Sequence, residues 1–417
     1  MSSLFHSPKA NRRKWFRVSR VQLLMAIGVF SIATASAQDR KFAIGTSIDV
    51  MGGSTNRLNS INLGSPTTPY FLYYGAYPTV TLAAAGRRSV LKGSYSFGIN
   101  RTESESKLHS NSHSANLGWN GTVSRNWKIN LSDNYTLTDD SGTFNAFRAV
   151  TPEFDNLGFV FDPVARRIVS ETNVARVGAD YTVGGKSSLS FVGTHHLRRY
   201  RDDSSLGQGT DLADQQRFSG GLSYRRLLGK DSWNVGYTGS YFKFNELENV
   251  ISHSAEVGYS APLWRDFKFN LSVGASQTQN ETSRDSYIGY NTSVGLQKTV
   301  EANTLAVYYT QTSGTSSGLG TISDTQRVGF SINRQARNVN IFLDIAAYDM
   351  RGRLGNGFNV RSLQGSVTLG IPVSRSLAVQ GGLQYQRQDR SSVYQFDQKR
   401  VFVSLRYSNP ALFTFVR

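Results

Sequence analysis

The residues best suited to chemistry in this chain are its cations. Lysine and arginine number 46 against 29 aspartates and glutamates, a formal net charge of +17. Nine of them, Lys92, Lys128, Arg176, Arg198, Lys268, Arg327, Arg361, Arg400 and Arg406, are assigned to the polar parity of alternating stretches rich in Ser, Thr, Asn and Gln. Rings of Arg and Lys around a water-filled space favour anions. The plainer alternative is a solvated wall in which these cations pair with acids such as Asp133, Asp180 and Asp344.

Other candidates carry less. His195 and His196 are adjacent, and neighbouring residues on a strand project to opposite faces, so they do not readily share a metal. His109, His113 and His253 are scattered, and serines are too numerous for any Ser-His pairing to be specific. No enzyme, metal or cofactor is expected. Gly184-Gly185-Lys186-Ser187 lacks the following helix of a phosphate loop and reads as a hairpin turn. The cations alternate through strands instead of forming a helix or patch, which argues against nucleic acid. Cysteine is absent, excluding a disulfide scaffold, a Cys-containing zinc site and a lipid-anchoring cysteine.

The elements that must hold these cations are strands. In Val90 to Asn100, Leu91, Tyr95, Phe97 and Ile99 are apolar while Lys92, Ser94, Ser96 and Asn100 are polar, a period of two. The pattern recurs. Trp127, Ile129, Leu131, Tyr135 and Leu137 oppose Lys128, Asn130, Ser132, Asn134 and Thr136, and Val401, Val403, Leu405 and Tyr407 oppose Arg400, Ser404 and Arg406. Such runs exceed the usual soluble strand of about 5 to 6 residues. With 39 Gly and few helix-favouring runs, the class is all-β.

Charged short turns are expected near Arg88, Arg125, Lys186, Lys230, Arg265, Glu301, Arg337 and Arg375, the later ones recurring about every 36 residues. They alternate with longer connections near 52 to 75, 103 to 108, 140 to 170, 203 to 213, 315 to 323 and 351 to 358. Starting from Phe42 to Met51, the count is about 18 strands (16 to 18), and an even count leaves both termini on one side. A wall of that size encloses water, so the polar parity faces a lumen and the apolar parity faces lipid.

Upstream, Lys9, Arg12, Arg13, Lys14, Arg17 and Arg20 precede the apolar run Val21 to Ala35 and the small residues Ala35-Ser36-Ala37. This is the layout of a secretory signal peptide cleaved after Ala37, making residues 1–37 a leader and 38–417 the mature domain. Its removal lowers the formal charge from +17 to +11. No other stretch approaches the ~18 consecutive apolar residues of a membrane helix, so a membrane-spanning mature protein must be a closed barrel.

On this leader, hairpin period and alternation, the chain resembles a Gram-negative outer-membrane β-barrel, porin-like, over essentially its whole mature length. No short motif selects one family. The resemblance implies a single transmembrane antiparallel up-and-down barrel with short periplasmic turns and longer extracellular loops, located in the cell outer membrane. It also implies outer-membrane lipid and the barrel-assembly machinery as partners, small hydrophilic or anionic solutes as cargo, and a monomer or homotrimer. Such barrels usually end on an aromatic residue. Here the apolar parity continues through Phe413 and Phe415, Pro410 interrupts, and Val416-Arg417 follow, so the last strand ends near either Tyr407 or Phe415.

The connection from Asp140 to Ser170 holds Phe144, Phe147, Phe154, Phe159 and Phe161 with Arg166 and Arg167, too apolar for a solvated loop. It is a candidate constriction folded into the lumen, or a hairpin extending the wall. The function expected is a porin passing hydrophilic solutes passively with an anion bias. The alternatives are the outer-membrane pore of an exopolysaccharide secretion pathway, carrying an acidic glycan, a plugged receptor or adhesin barrel, and a secreted β-propeller-like binding protein.

Overall fold

The computed structural model describes residues 41–56, 70–103, 109–138, 169–201, 214–245, 247–264, 266–315, 322–353, 359–390 and 394–416. Their regular structure is strand throughout. The first six are β1 (Lys41–Thr55), β2 (Phe71–Ala85), β3 (Ser89–Glu103), β4 (His109–Thr122), β5 (Trp127–Thr138) and β6 (Val169–Val183). There follow β7 (Ser187–Arg201), β8 (Gln215–Leu228), β9 (Asp231–Phe244), β10 (Val250–Pro262), β11 (Phe267–Asn280) and β12 (Ser286–Val300). The last are β13 (Asn303–Thr315), β14 (Ile322–Ala336), β15 (Val339–Gly352), β16 (Asn359–Pro372), β17 (Leu377–Arg390) and β18 (Tyr394–Val416).

Every strand pairs antiparallel with its neighbours in the chain, and β1 pairs with β18 from Lys41 opposite Val416 to Thr55 opposite Arg400. The sheet of 18 strands is therefore closed and has no propeller blades. Short turns at 86–88, 123–126, 184–186, 229–230, 301–302, 337–338 and 373–376 include the expected charged positions Arg88, Arg125, Lys186, Lys230, Glu301, Arg337 and Arg375, and Arg265, between β10 and β11, lies outside the described residues. Gly184, Gly185 and Gly229 take positive φ there (60°, 75° and 67°), which tight hairpins need and glycine adopts without steric penalty. The remaining connections, more numerous than the sequence suggested because β9 to β10, β11 to β12 and β17 to β18 are also joined there, lie at the other end.

β18 settles where the chain closes. Pro410 does not end it. The register with β1 shifts between Ile44 and Thr46, from Phe413 to Asn409, so β18 gains two residues in a bulge and continues to Val416. An insertion of two keeps the side-chain parity unchanged.

Curvature tells the two faces apart. On a closed wall, side chains on the convex face splay and those on the concave face converge. Along β18, Val401, Val403 and Leu405 are 48%, 59% and 46% exposed, whereas Arg400, Phe402 and Ser404 are 6%, 3% and 7%. The valine and leucine face is therefore convex and the polar face concave. Cross-strand register carries this assignment around the wall: in β3, Leu91, Tyr95, Phe97 and Ile99 point out and Lys92 points in. Aromatic pairs mark the short-turn end, with Trp127 against Tyr181 at 4.9 Å, Trp233 against Tyr259 at 4.8 Å and Trp264 edge-on to Phe267 at 6.4 Å. A convex face of aliphatic side chains bordered by aromatics suits hydrocarbon and its interface.

Candidate functional site: a cation-lined lumen

Register places Lys92, Lys128, Arg176, Arg198, Lys268, Arg327, Arg400 and Arg406 on the concave face. Arg361 is a correction. In β16 it shares the parity of Leu363, Val367 and Leu369, and it stands between Asp349 and Asp389 on the outer face near the long-connection end. The run Leu363 to Ile371 already carried that parity. Asp133 is also outward, in line with Leu131 and Tyr135, where Asn173 Nδ2 donates to its Oδ1 at 2.6 Å. Asp180 and Asp344 do face the lumen, Asp180 accepting from Ser190 Oγ at 2.6 Å.

Aromatic rings hold several of the inward guanidinium groups. Arg327 lies between Tyr308 and Tyr348, its Cζ 4.7 Å and 5.1 Å from their ring centroids. Gln364 Nε2 donates to the Tyr348 hydroxyl at 2.9 Å, and Tyr308 lies over Gly329, where a Cβ would collide with its ring. Arg400 stacks on Tyr73 at 5.2 Å and Arg198 on Tyr200 at 5.2 Å. Arg406 Nε lies 3.7 Å from Asp49 Oδ1. A planar cation held on an aromatic face keeps its charge at a fixed position.

Arg217 belongs to the same group and was missed in the sequence. It stacks on Phe242 at 5.0 Å and donates from Nη2 to Ser240 Oγ at 3.1 Å. Its alternation with Phe218 and Leu222 could have revealed it. His196 is paired with Arg217 on the concave face, whereas His195 stacks on Phe218 at 4.7 Å on the convex face, so the two histidines are separated by the wall. Gly184-Gly185-Lys186 is a turn. The constriction candidates Phe144, Phe147, Phe154, Phe159, Phe161, Arg166 and Arg167, and the cleavage residues Ala35 and Ala37, lie outside the described residues.

A different segment narrows the described lumen. β12 and β13 pair from Val300 opposite Asn303 up to Thr292 opposite Gln311, and both strands then continue unpaired with each other. The upper ends of β13 and β14 stay paired to one another but lean across the inner face of β9 to β12. Ser313 and Asp324 share the parity of outward-facing Tyr309 and Val328, yet they contact inward-facing residues. Ser276 Oγ donates to the Ser313 carbonyl at 3.5 Å, Ser313 N to Asn291 Oδ1 at 3.0 Å, and Tyr287 Oη to Asp324 Oδ2 at 2.7 Å. Ser313 Oγ also donates to Asp324 Oδ1, and Arg353 Nε closes the cluster 2.7 Å from Asp324 Oδ2. This hydrogen bond, and then the charge attraction, raise the Arg353 pKa above its ordinary value. Ile322 is buried with Phe242, Phe244 and Val250, against which Tyr287 packs.

The wall thus combines a closed ladder, a convex apolar face and a concave polar one. This is a transmembrane β-barrel of the outer-membrane type. The barrel is similar in solved structures to Pseudomonas aeruginosa OccK9 (OpdG), at 9% identity and TM-score 0.48, covering 88% of this chain and 98% of that one. P. aeruginosa OpdK with vanillate gives 10% and 0.48 over 89% and 99%, and the siderophore receptor PirA from the same organism 8% and 0.42 over 88% and 80%. Likeness at this level carries nothing about substrate. No family model and no curated protein matches the chain.

Proposed function

We propose that the protein is a passive outer-membrane channel for small hydrophilic solutes, biased towards anions, and not an enzyme. The observation that supports this most is the set of guanidinium groups held on lumenal aromatic rings, above all Arg327 between Tyr308 and Tyr348. Fixed cations in a water-filled passage raise the local anion concentration and lower the barrier to anion entry. In planar bilayers under a KCl gradient, the purified barrel is expected to conduct with a reversal potential on the anion side. A potential on the cation side would reject the bias.

The inward-leaning β13–β14 end favours one rival, a barrel plugged by its own loops, and absence of conductance would favour that rival. Acidic-glycan export remains the alternative cargo for a positive lumen. Cleavage after Ala37 belongs to the same proposal, and N-terminal sequencing of the purified protein should start at Gln38.

A further inference from the structure

The unpaired seam between β12 and β13 has the features of a second route through the wall. With a rise of about 3.3 Å per residue and a tilt of about 40°, the eight residue steps from Val300 to Thr292 climb roughly 20 Å from the short-turn end. The apolar belt of such barrels is about 25 Å tall, so the ladder stops near the upper boundary of the hydrocarbon. Interrupted pairing at that level is costly, because lipid supplies no hydrogen bonds to the freed backbone groups. Among the described residues, this is the one strand pair in which both members run on for four or more residues without pairing.

The seam is apolar on both sides. On its outer lip, Ile288 and Tyr290 are 65% and 67% exposed, since β11 flanks them on one side but β13 does not on the other. Immediately behind the lip, on the lumenal side, Phe242, Phe244, Val250 and Tyr287 surround Ile322. The inner layer is held by polar contacts of Asp324 with Tyr287, Ser313 and Arg353, and these exchange for water at modest net cost. Gly289 lets β13 lie flat against β12, and its missing side chain leaves no interlock between the two layers.

We propose that this seam is a lateral passage by which an amphiphile of the outer leaflet, an acyl chain with a polar head, enters the lumen. Its tail would displace Ile322 from the Phe242–Phe244–Val250 pocket as the β13–β14 end shifts inward. The inference requires the barrel to sit in a membrane but does not require axial ion passage, and it concerns a different class of solute.

The chain has no cysteine, so a bridge can be introduced cleanly. Gly289→Cys with Ser313→Cys would lock the two layers, and Gln279→Cys with Ser286→Cys would bridge the intact β11–β12 ladder as a control. Full-length protein is reconstituted in phosphatidylethanolamine/phosphatidylglycerol vesicles containing a diazirine-bearing fatty acid. It is then irradiated, and label on the inward-facing Phe242, Phe244 and Val250 is quantified residue by residue alongside KCl conductance.

The expected result is strong labelling in reduced protein, a loss of at least tenfold when the seam is oxidised, recovery on reduction, and no change in the control. Asp324→Ala, which frees the inner layer without a bridge, should raise labelling severalfold. Equal labelling in locked and reduced protein, or in Asp324→Ala and the parent, would overturn the passage. Seam-dependent labelling in a barrel that conducts no ions would support the passage and reject the channel reading.

Discussion

Tyr287 Oη donates to Asp324 Oδ2 at 2.7 Å although Tyr287 lies on β12 and Asp324 on β14, strands that do not pair with each other. The contact exists because the β13–β14 end has left the wall and lies over the inner face of β12. Removing that donor tests whether the end is held there. Tyr287→Phe loses one hydrogen bond, about 0.5–1.5 kcal/mol net. Single-channel recordings should show more open-level noise and a larger mean current. Asp324→Asn, which also weakens the Arg353 ion pair at 2.7 Å, should do so more strongly. Unaltered traces in both variants would mean that the segment is held by Ile322 packing alone.

Lumenal charge is tested separately from surface charge. A unit charge about 8 Å from a passing ion in water is worth about 0.5 kcal/mol, a factor of about two in relative permeability. Arg327→Gln and Arg400→Gln should each lower the anion-to-cation ratio by roughly that factor, more at low salt, where screening is weaker. Arg361→Gln should leave it unchanged, because that side chain is on the convex face between Asp349 and Asp389. A reversal potential that moves equally in all three would show that selectivity is not set in the lumen.

Adjacent residues should respond oppositely to the same substitution. Val273 points to lipid and Ser272 to the lumen, where Ser272 Oγ donates to Glu256 Oε2 at 3.2 Å. Val273→Arg is expected to cost about 2–4 kcal/mol in denaturant titrations of vesicle-folded protein. Ser272→Arg gains a carboxylate partner and should cost less than about 1 kcal/mol. Equal losses would contradict the assignment of faces.

Phe402 lies over Gly382 on the concave face, where a Cβ would run into its ring, whereas Gly220 on the convex face has open space. Gly382→Ala should therefore destabilise by about 1–3 kcal/mol through overpacking. Gly220→Ala should be neutral or slightly stabilising, since alanine loses less backbone entropy than glycine. The same denaturant titration reads both variants.

Much of the barrel was legible along the chain because its rules are local. Alternation with period two needs only the pleat, so Leu91, Tyr95, Phe97 and Ile99 could be assigned to one face and Lys92 to the other without any partner strand. Turn positions such as Gly184-Gly185 and Lys230 followed from residue type. Together these specified the strand number, the common side of the termini and the existence of a polar lumen. Arg361 follows the same rule: the parity legible from Leu363 onward puts it on the convex face and not in the lumen.

The inward lean of β13 and β14 had no such signal. Ser313 and Asp324 keep the parity of outward-facing residues, and their partners Asn291 and Tyr287 are 22 and 37 residues away in the chain. Their surroundings depend on where the β12–β13 ladder stops, a balance between continuing backbone pairing and packing Ile322 against Phe242, Phe244 and Val250. Periodicity along the chain specifies which face a side chain takes relative to its own strand. Whether that face meets lipid, water or another part of the wall is set by contacts between strands distant in sequence, and this is why the alternation could be read from the residues while the seam required the folded barrel.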